Sequence, residues 1–450
     1  MTVLKSKLDI GSDPVGAVAA VASPLPAPVE PRAGGDIVQG GRSIYYSAFA
    51  ATGAGLSLWV PIFLQCLAVS WLVTELHRNL VPRSWPVSAL ATLVLLACFS
   101  SLALFANLIM PDIWASAAII ALALLWSPSV TLSNGAKWLI AGILCFSALS
   151  HSSHIALIAA MCLTYAAVRL SGRAGLRGRQ ALALPMIAVL AGVLGQVAFG
   201  LAVHGIYGTR ILERPHITAH LVDLGPGAEH ARESCPESGY ALCAYRDKLP
   251  VDWIAFMFSR SDDTAIFAVA DTETQKELAE EQLRFAIDTV KAYPAATIAG
   301  LSLDGIRQLW TLSVTDVPLN RATTGNFLNR NFTPAVAETI RTTQVYRNPG
   351  MAGTMTRVIE ITSALSLVFL AIWAIAAIRG DGAVLPPGTG TVVATILGGV
   401  ILNALICGIL ASPYGRFQAR VVWLLPMLVI LLAAAMYDAR RDRKTQPMEV

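Results

Sequence analysis

The sequence predicts an all-α polytopic membrane protein, with about nine transmembrane helices and a mainly α-helical extracytoplasmic domain. Three observations predict it. Only 14% of the 450 residues are charged, against about 25% in a soluble globular protein. Uncharged apolar runs near the ~20 residues that a bilayer core requires recur along the chain. Lysine and arginine concentrate in alternate short loops, the asymmetry that marks cytoplasmic segments. With 55% hydrophobic residues and a mean hydropathy of +0.60, the pattern excludes a soluble enzyme, a disordered chain and a disulfide scaffold. The net charge of +4 gives no ground for a nucleic-acid partner. Glycine-rich phosphate loops, metal-ligand cysteine spacings and sustained heptads are absent from the sequence.

In chain order, residues 54–74, 85–109, 181–203, 358–378, 389–411 and 421–437 are long apolar runs, the fourth opening near Glu360. Shorter runs cover 113–126, 138–150 and 155–168. The last two are separated by His151-Ser152-Ser153-His154. A tight hairpin there gives nine spans, and one long helix gives eight. Arg440, Arg441, Arg443 and Lys444 place the tail 438–450 inside, and Arg169, Arg173, Arg177 and Arg179 do the same for the loop 169–180. Segments 204–357 and 412–420 then fall outside, and Arg379 inside. Only the hairpin also puts Arg78 and Arg83 inside, so it is preferred. The resulting layout is six spans over 54–203, an outer domain over 204–357, three spans over 358–437 and a cytoplasmic tail in a bacterial inner membrane.

Residues 1–53 are then external, and Lys5, Lys7, Arg32 and Arg42 would have to cross. The apolar stretch 15–22 is too short to span, is soon followed by Pro24, Pro26 and Pro28, and lacks the features of a signal peptide. The favoured expectation is a disordered segment or one lacking a genuine first span.

The outer segment is long enough for a small domain. Residues 272–293 read as an amphipathic helix, with Leu278, Leu283, Phe285, Ile287 and Val290 on its apolar side and Glu273, Glu277, Glu280, Glu281 and Lys291 in water. Pro294 punctuates it. Residues 296–314 read as a second helix lying on the membrane, and 316–331 as irregular. Five cysteines (Cys66, Cys98, Cys145, Cys162, Cys407) lie in apolar spans, where cysteine behaves as a small hydrophobe. Cys235 and Cys243 lie in the outer segment, where thiols are oxidised, which points to a structural disulfide. The alternative, a metal pair with His230 nearby, has poor spacing for zinc.

Charges deep in the spans are nearly absent, which disfavours an ion-coupled transporter. The unusual polar residues gather at the outer face: Asp36 and Arg42 before the first span, Asp112 after Pro111, His151 and His154 at the hairpin, Arg210, Arg214 and His216 opening the outer segment, and Tyr414, Arg416, Gln418 and Arg420 in the loop 412–420. Each also has a structural reading. Asp112 suits a helix cap, the histidines suit helix ends, Arg416 and Arg420 suit headgroup anchoring, and Asp36 suits a plain surface. Two external arginines against the charge bias favour anion binding, because the guanidinium fork matches a phosphate.

The outer acid before an early span, GRSIYY (41–46), PDIW (111–114), the late outer domain and SPYGRFQAR (412–420) resemble bacterial membrane glycosyltransferases of the GT-C type. CPESGYALCAYRDKLP (235–250) is similar to a bacterial branch of such proteins. The resemblance covers most of the chain and is one of layout. It implies a carboxylate in the first outer loop acting as base or metal ligand, and basic groups holding a polyprenyl phosphate. Asp36 matches the first role by order along the chain, with Asp112 the second catalytic candidate. Arg416 and Arg420 match the other role, with His151, His154, Arg210, Tyr414 and Gln418 as further substrate-binding candidates. The sequence departs from the family where a span should precede Asp36. A divalent cation is an open cofactor, and the implied partners are membrane lipid, a polyprenyl-phosphate donor and a cell-envelope glycan or lipid acceptor. The leading function is sugar transfer. A non-enzymatic envelope-assembly or polysaccharide-export protein is the second, an acyltransferase using His151 or His154 the third, and a transporter the fourth.

Overall fold

The computed structural model describes residues 38–39, 43–171, 179–208, 211–317, 328–329, 333–348, 350–379 and 385–445. The apolar runs are mainly helical, because backbone N–H and C=O groups removed from water must pair within their own segment. Helices α1 (Ile44–Gly55), α2 (Trp59–Leu80), α3 (Trp85–Phe99), α4 (Leu102–Asn107), α5 (Ile113–Trp126), α6 (Asn134–Ser150), α7 (Ser152–Leu170) and α8 (Ala183–Tyr207) build the first part. Between α8 and Met351 the chain carries α9 (His216–Leu224), α10 (Pro226–Ser234), α11 (Trp253–Phe258), α12 (Thr272–Glu280), α13 (Gln282–Ala292), α14 (Pro294–Gln308), α15 (Pro334–Arg341) and α16 (Gln344–Arg347). Helices α17 (Met351–Ile378), α18 (Thr389–Leu410), α19 (Gly415–Val422) and α20 (Leu424–Thr445) close the chain. Six helical stretches are long and apolar enough to cross a membrane: α2, α7, α8, α17, α18 and the joined α19–α20. The architecture fits an all-α multi-pass membrane protein, and α3, α5 and α6 are shorter apolar helices beside those six.

Several boundaries differ from the sequence reading, each for a local reason. The run 85–109 is broken at Ser100 and Ser101. The Ser100 hydroxyl donates to Leu96 O at 2.6 Å, and that of Ser101 donates to Ala419 O at 2.5 Å. Such side-chain bonds compete with the helical ladder. The amphipathic helix over 272–293 is split at Glu281, whose carboxylate accepts the N–H groups of Ala241 (2.7 Å) and Leu242 (3.1 Å). The loop expected over 412–420 is helical from Gly415 onward. At His151 the backbone turns extended, so the run on either side is two helices and not one.

Helix α5 lies at the centre, with all of its residues buried. A helix that is apolar all round belongs inside a bundle, and five alanines plus Ser116 let its neighbours approach closely. Leu163, Ile187, Leu190, Leu201, Leu365 and Ile372 are exposed on the outer faces of α7, α8 and α17, as a lipid solvent requires.

The bundle has two chemically distinct ends. At one, Asp438 accepts from the N–H groups of Arg83 and Ser84 and from the Ser84 hydroxyl (2.9 Å), Thr131 N donates to Asn79 (2.8 Å), and Ser127 donates to Gly388 O (3.2 Å). At the other, Ser43 donates to Leu149 O, and the start of α5 meets α19. Residues 211–293 have a core of their own, in which Val222, Tyr240, Leu242, Phe256, Leu278 and Phe285 are buried. A disulfide joins Cys235 to Cys243, with sulfurs 1.98 Å apart. Val38–Gln39 pairs in parallel with Ile211–Leu212. Asp36 and Arg210, both candidate site residues, lie outside the described residues.

Candidate functional site

Asp112 stands at the first turn of α5, after Pro111. Its backbone is already helical and its side chain makes no capping hydrogen bond, so the capping role open to it in the sequence is not the one it takes. The carboxylate turns instead to α19, where Arg420 Nη1 lies 3.6 Å from Asp112 Oδ1. Both groups are buried, Arg420 being 2% exposed. Arg420 therefore does not snorkel to the headgroups. A charge taken out of water needs partners, and Arg420 has them on three helices. Nε and Nη2 donate to Asn403 Oδ1 on α18 at 3.2 and 2.9 Å. Nη2 also faces Ser153 Oγ on α7 and Cys407 Sγ on α18, each at 3.3 Å.

Asn403 is oriented in turn. Its Nδ2 donates to Phe417 O at 2.7 Å and to Gln418 Oε1 at 3.0 Å, while Gln418 Nε2 donates to Val400 O at 3.3 Å. Gln418, a substrate-binding candidate by sequence, is 1% exposed and engaged in holding Asn403. The two histidines at the hairpin differ. His151 accepts the Ser153 N–H at 3.1 Å and so caps α7. His154 is fully buried. Its Nδ1 lies 3.1 Å from Ser147 O, a group that can only accept, so the proton is assigned to Nδ1. Nε2 is then an acceptor, buried without a hydrogen-bond partner.

Tyr414 and Arg416 sit above this pair. Tyr414 is fixed through its backbone, which Gln308 clamps from α14: Tyr414 N donates to Gln308 Oε1 at 2.7 Å, and Gln308 Nε2 donates to Tyr414 O at 3.0 Å. Gly415 is required here, because a Cβ would collide with the Ser313 carbonyl. The Arg416 guanidinium lies 5.6 Å from the Tyr414 ring centre and 5.8 Å from that of Phe417, within cation–π range. Arg416 Nε is buried without a hydrogen-bond partner.

The structure adds Asp316 to this group. Its two carboxylate oxygens are buried without a well-formed hydrogen bond. Burial pushes its pKa up, opposed by Arg416 and Tyr414 beside it, and the nearby Asp112 charge acts in the same direction as burial. The Tyr414 hydroxyl is likewise pushed up, by burial first and the Asp316 charge second. Sequence reading passed over Asp316 as the edge of an irregular stretch, met Ser153 only as part of the hairpin turn, and passed over Asn403 altogether. Asn403 carried a usable signal, since an amide in mid-span must find a partner.

Two carboxylates, two guanidinium groups, a phenol and a buried imidazole therefore converge at one end of the bundle. The unpartnered Nε–H of Arg416 and the Asp316 carboxylate, which the Tyr414 hydroxyl faces, are a complementary pair for a ligand that bears both an anionic oxygen and a hydroxyl. Among the described residues no group of three or more His, Cys, Asp or Glu is placed to hold a metal ion. Two guanidinium groups around Asp112 and Asp316 make that donor set a poor fit for a divalent cation. Comparison with protein-family models, curated proteins and solved structures matches none of them to this chain.

Proposed function

We propose that the chain is an integral membrane transferase that moves a sugar from a polyprenyl-phosphate-type lipid donor to a cell-envelope acceptor, at the outer face of a bacterial inner membrane. In this reading the molecule has the GT-C-type layout, about nine spans, an extracytoplasmic domain over 204–357 and a cytoplasmic C-terminus. The observation that carries it is the convergence of Asp112, Asp316, Arg416 and Arg420 at one end of an apolar bundle. A transfer of this kind needs a carboxylate to take the acceptor hydroxyl proton as the new bond forms, and cations to stabilise the phosphate that leaves. Asp316, whose pKa burial raises, suits the base. Arg416, with an unused donor, suits the phosphate, and Asp112 with Arg420 sets the field between them. Arg169, Arg179, Arg440 and Arg441, at the end opposite this cluster, support the orientation.

A second reading, an envelope-assembly or export protein without catalysis, draws on the closure of Arg420 by Asn403, Ser153 and Cys407. The deciding experiment is turnover of radiolabelled polyprenyl-phosphate sugars by the purified protein in lipid vesicles. Sugar transfer that is lost in Asp316→Asn and Arg416→Ala supports the enzyme. Equal release by the parent and both variants overturns it and leaves the assembly reading.

A further inference from the structure

Helix α14 has two faces of different chemistry. Thr297, Asp304, Gly305 and Gln308 are buried. A Cβ on Gly305 would stand 3.2 Å from the side chains of Leu405 and Ile409, and one on Gly408 would collide with the Asp304 carbonyl. Helix α14 is thus pressed against the last two turns of α18. Asp304 is tied there by His220 Nε2 at 3.1 Å, while His220 Nδ1 faces Ile409 O at 3.2 Å. With a rise of ~1.5 Å per residue, Leu405 lies about 7 Å below the end of the span at Leu410. An interfacial helix sits at that depth, ~5–10 Å into the headgroup–acyl boundary.

The opposite face is apolar and open. Ala299, Leu303 and Ile306 follow at helical spacing and Trp310 continues the line in the turn after Gln308, with Leu303 46%, Ile306 52% and Trp310 67% exposed. The same is true of Ile401 and Leu410 on α18, so the open face continues the surface of a helix long enough to cross a membrane. Arg307 projects at its edge, 3.1 Å from Asp304 and otherwise mostly exposed, where a phosphate headgroup would meet it. Tryptophan at the end of the stripe matches the residue preference of the membrane–water boundary.

We propose that α14 is an interfacial helix whose Leu303–Ile306 stripe, continued by Trp310 in the turn after it, is seated in the phospholipid leaflet. It lies at the depth where Asn403 and Cys407 hold Arg420. The chain leaving α14 carries Asp316, and Gln308 clamps Tyr414. Lipid at α14 therefore forms part of the framework of the cluster. The proposal depends on the position of α14 and not on which reaction the cluster performs.

The test is photocrosslinking in the full chain, in vesicles of phosphatidylcholine and phosphatidylglycerol. A benzophenone amino acid replaces Ile306, with Leu190 on α8 as the lipid-facing reference and Glu277 on α12 as the water-facing one. The adducts are identified by mass. The expected result is a phospholipid adduct at 306 comparable to that at 190, and none at 277. A crosslink from 306 to a second copy of the chain, or no adduct at 306 while 190 reacts, overturns the proposal. Trp310→Phe gives a second reading with no bulky probe. In vesicles of brominated phospholipid the quenched share of tryptophan emission should fall, and an unchanged share counts against the stripe.

Discussion

The Arg420 guanidinium lies 3.6 Å from the Asp112 carboxylate inside the helix bundle, and Asn403 on a third helix takes two of its remaining donors. Removing one charge of a buried pair leaves the other uncompensated, at a cost of about 3–5 kcal/mol. Arg420→Met and Asp112→Leu should each lower the melting temperature in detergent sharply. The double variant should recover part of the loss, because neither charge is then left alone. Additive losses would show that the two groups are not coupled.

Arg416 separates anchoring from recognition. An anchor needs only charge, so Arg416→Lys would be silent. A forked phosphate contact is degraded by lysine, which offers a point charge. Binding of a donor lipid should weaken in Arg416→Lys and more so in Arg416→Ala, at unchanged melting temperature. Equal binding by both variants and the parent protein would reject the phosphate role.

Asp316 sets a pH dependence with a definite sign. Burial raises its pKa above the unfolded value of 3.8. The folded state therefore holds that proton more tightly than the unfolded chain. Its contribution to stability is present below 3.8 and is lost as pH rises through the folded value. Asp316→Asn cannot ionise and should flatten this part of the profile. Melting curves from pH 4 upward on both proteins read the difference, and parallel profiles would refute it.

The disulfide between Cys235 and Cys243 closes a short loop, with the cysteines 8 positions apart in sequence. Closing a loop of this length stabilises by roughly 2–3 kcal/mol through the unfolded chain. Cys235→Ser with Cys243→Ser should loosen the surrounding region, whose N–H groups at Ala241 and Leu242 rest on Glu281. Hydrogen exchange should accelerate over 235–250 and leave α5 protected. Unchanged exchange there would mean that Glu281 and the surrounding core suffice.

The helices were legible because apolar length is written residue by residue. Ile113–Trp126 needed no partner to be recognised. Their interruptions were less so. Ser100 and Ser101 break a run by bonding Leu96 and Ala419, and the second contact is invisible until α19 is in place. In the candidate cluster Asp112, Arg416 and Arg420 stood out as charges among apolar spans. Asp316 did not, since an acid in a polar stretch is ordinary until its oxygens are buried. The sequence could not say which arginine turns inward. Arg420 is drawn in by Asn403, while Arg416, one helical turn earlier, stays between the Tyr414 and Phe417 rings.

Helix α5 also bears on redesign. Its 14 residues rise about 21 Å, less than the ~30 Å of a bilayer core, and none of them faces outward. Leu190, Leu201, Leu365 and Ile372, each more than half exposed on other helices, could be exchanged for glutamate, lysine or glutamine. A water-soluble analogue of this chain would then keep α5 letter for letter, and in such a version Asp112 and Arg420 could be titrated without a membrane.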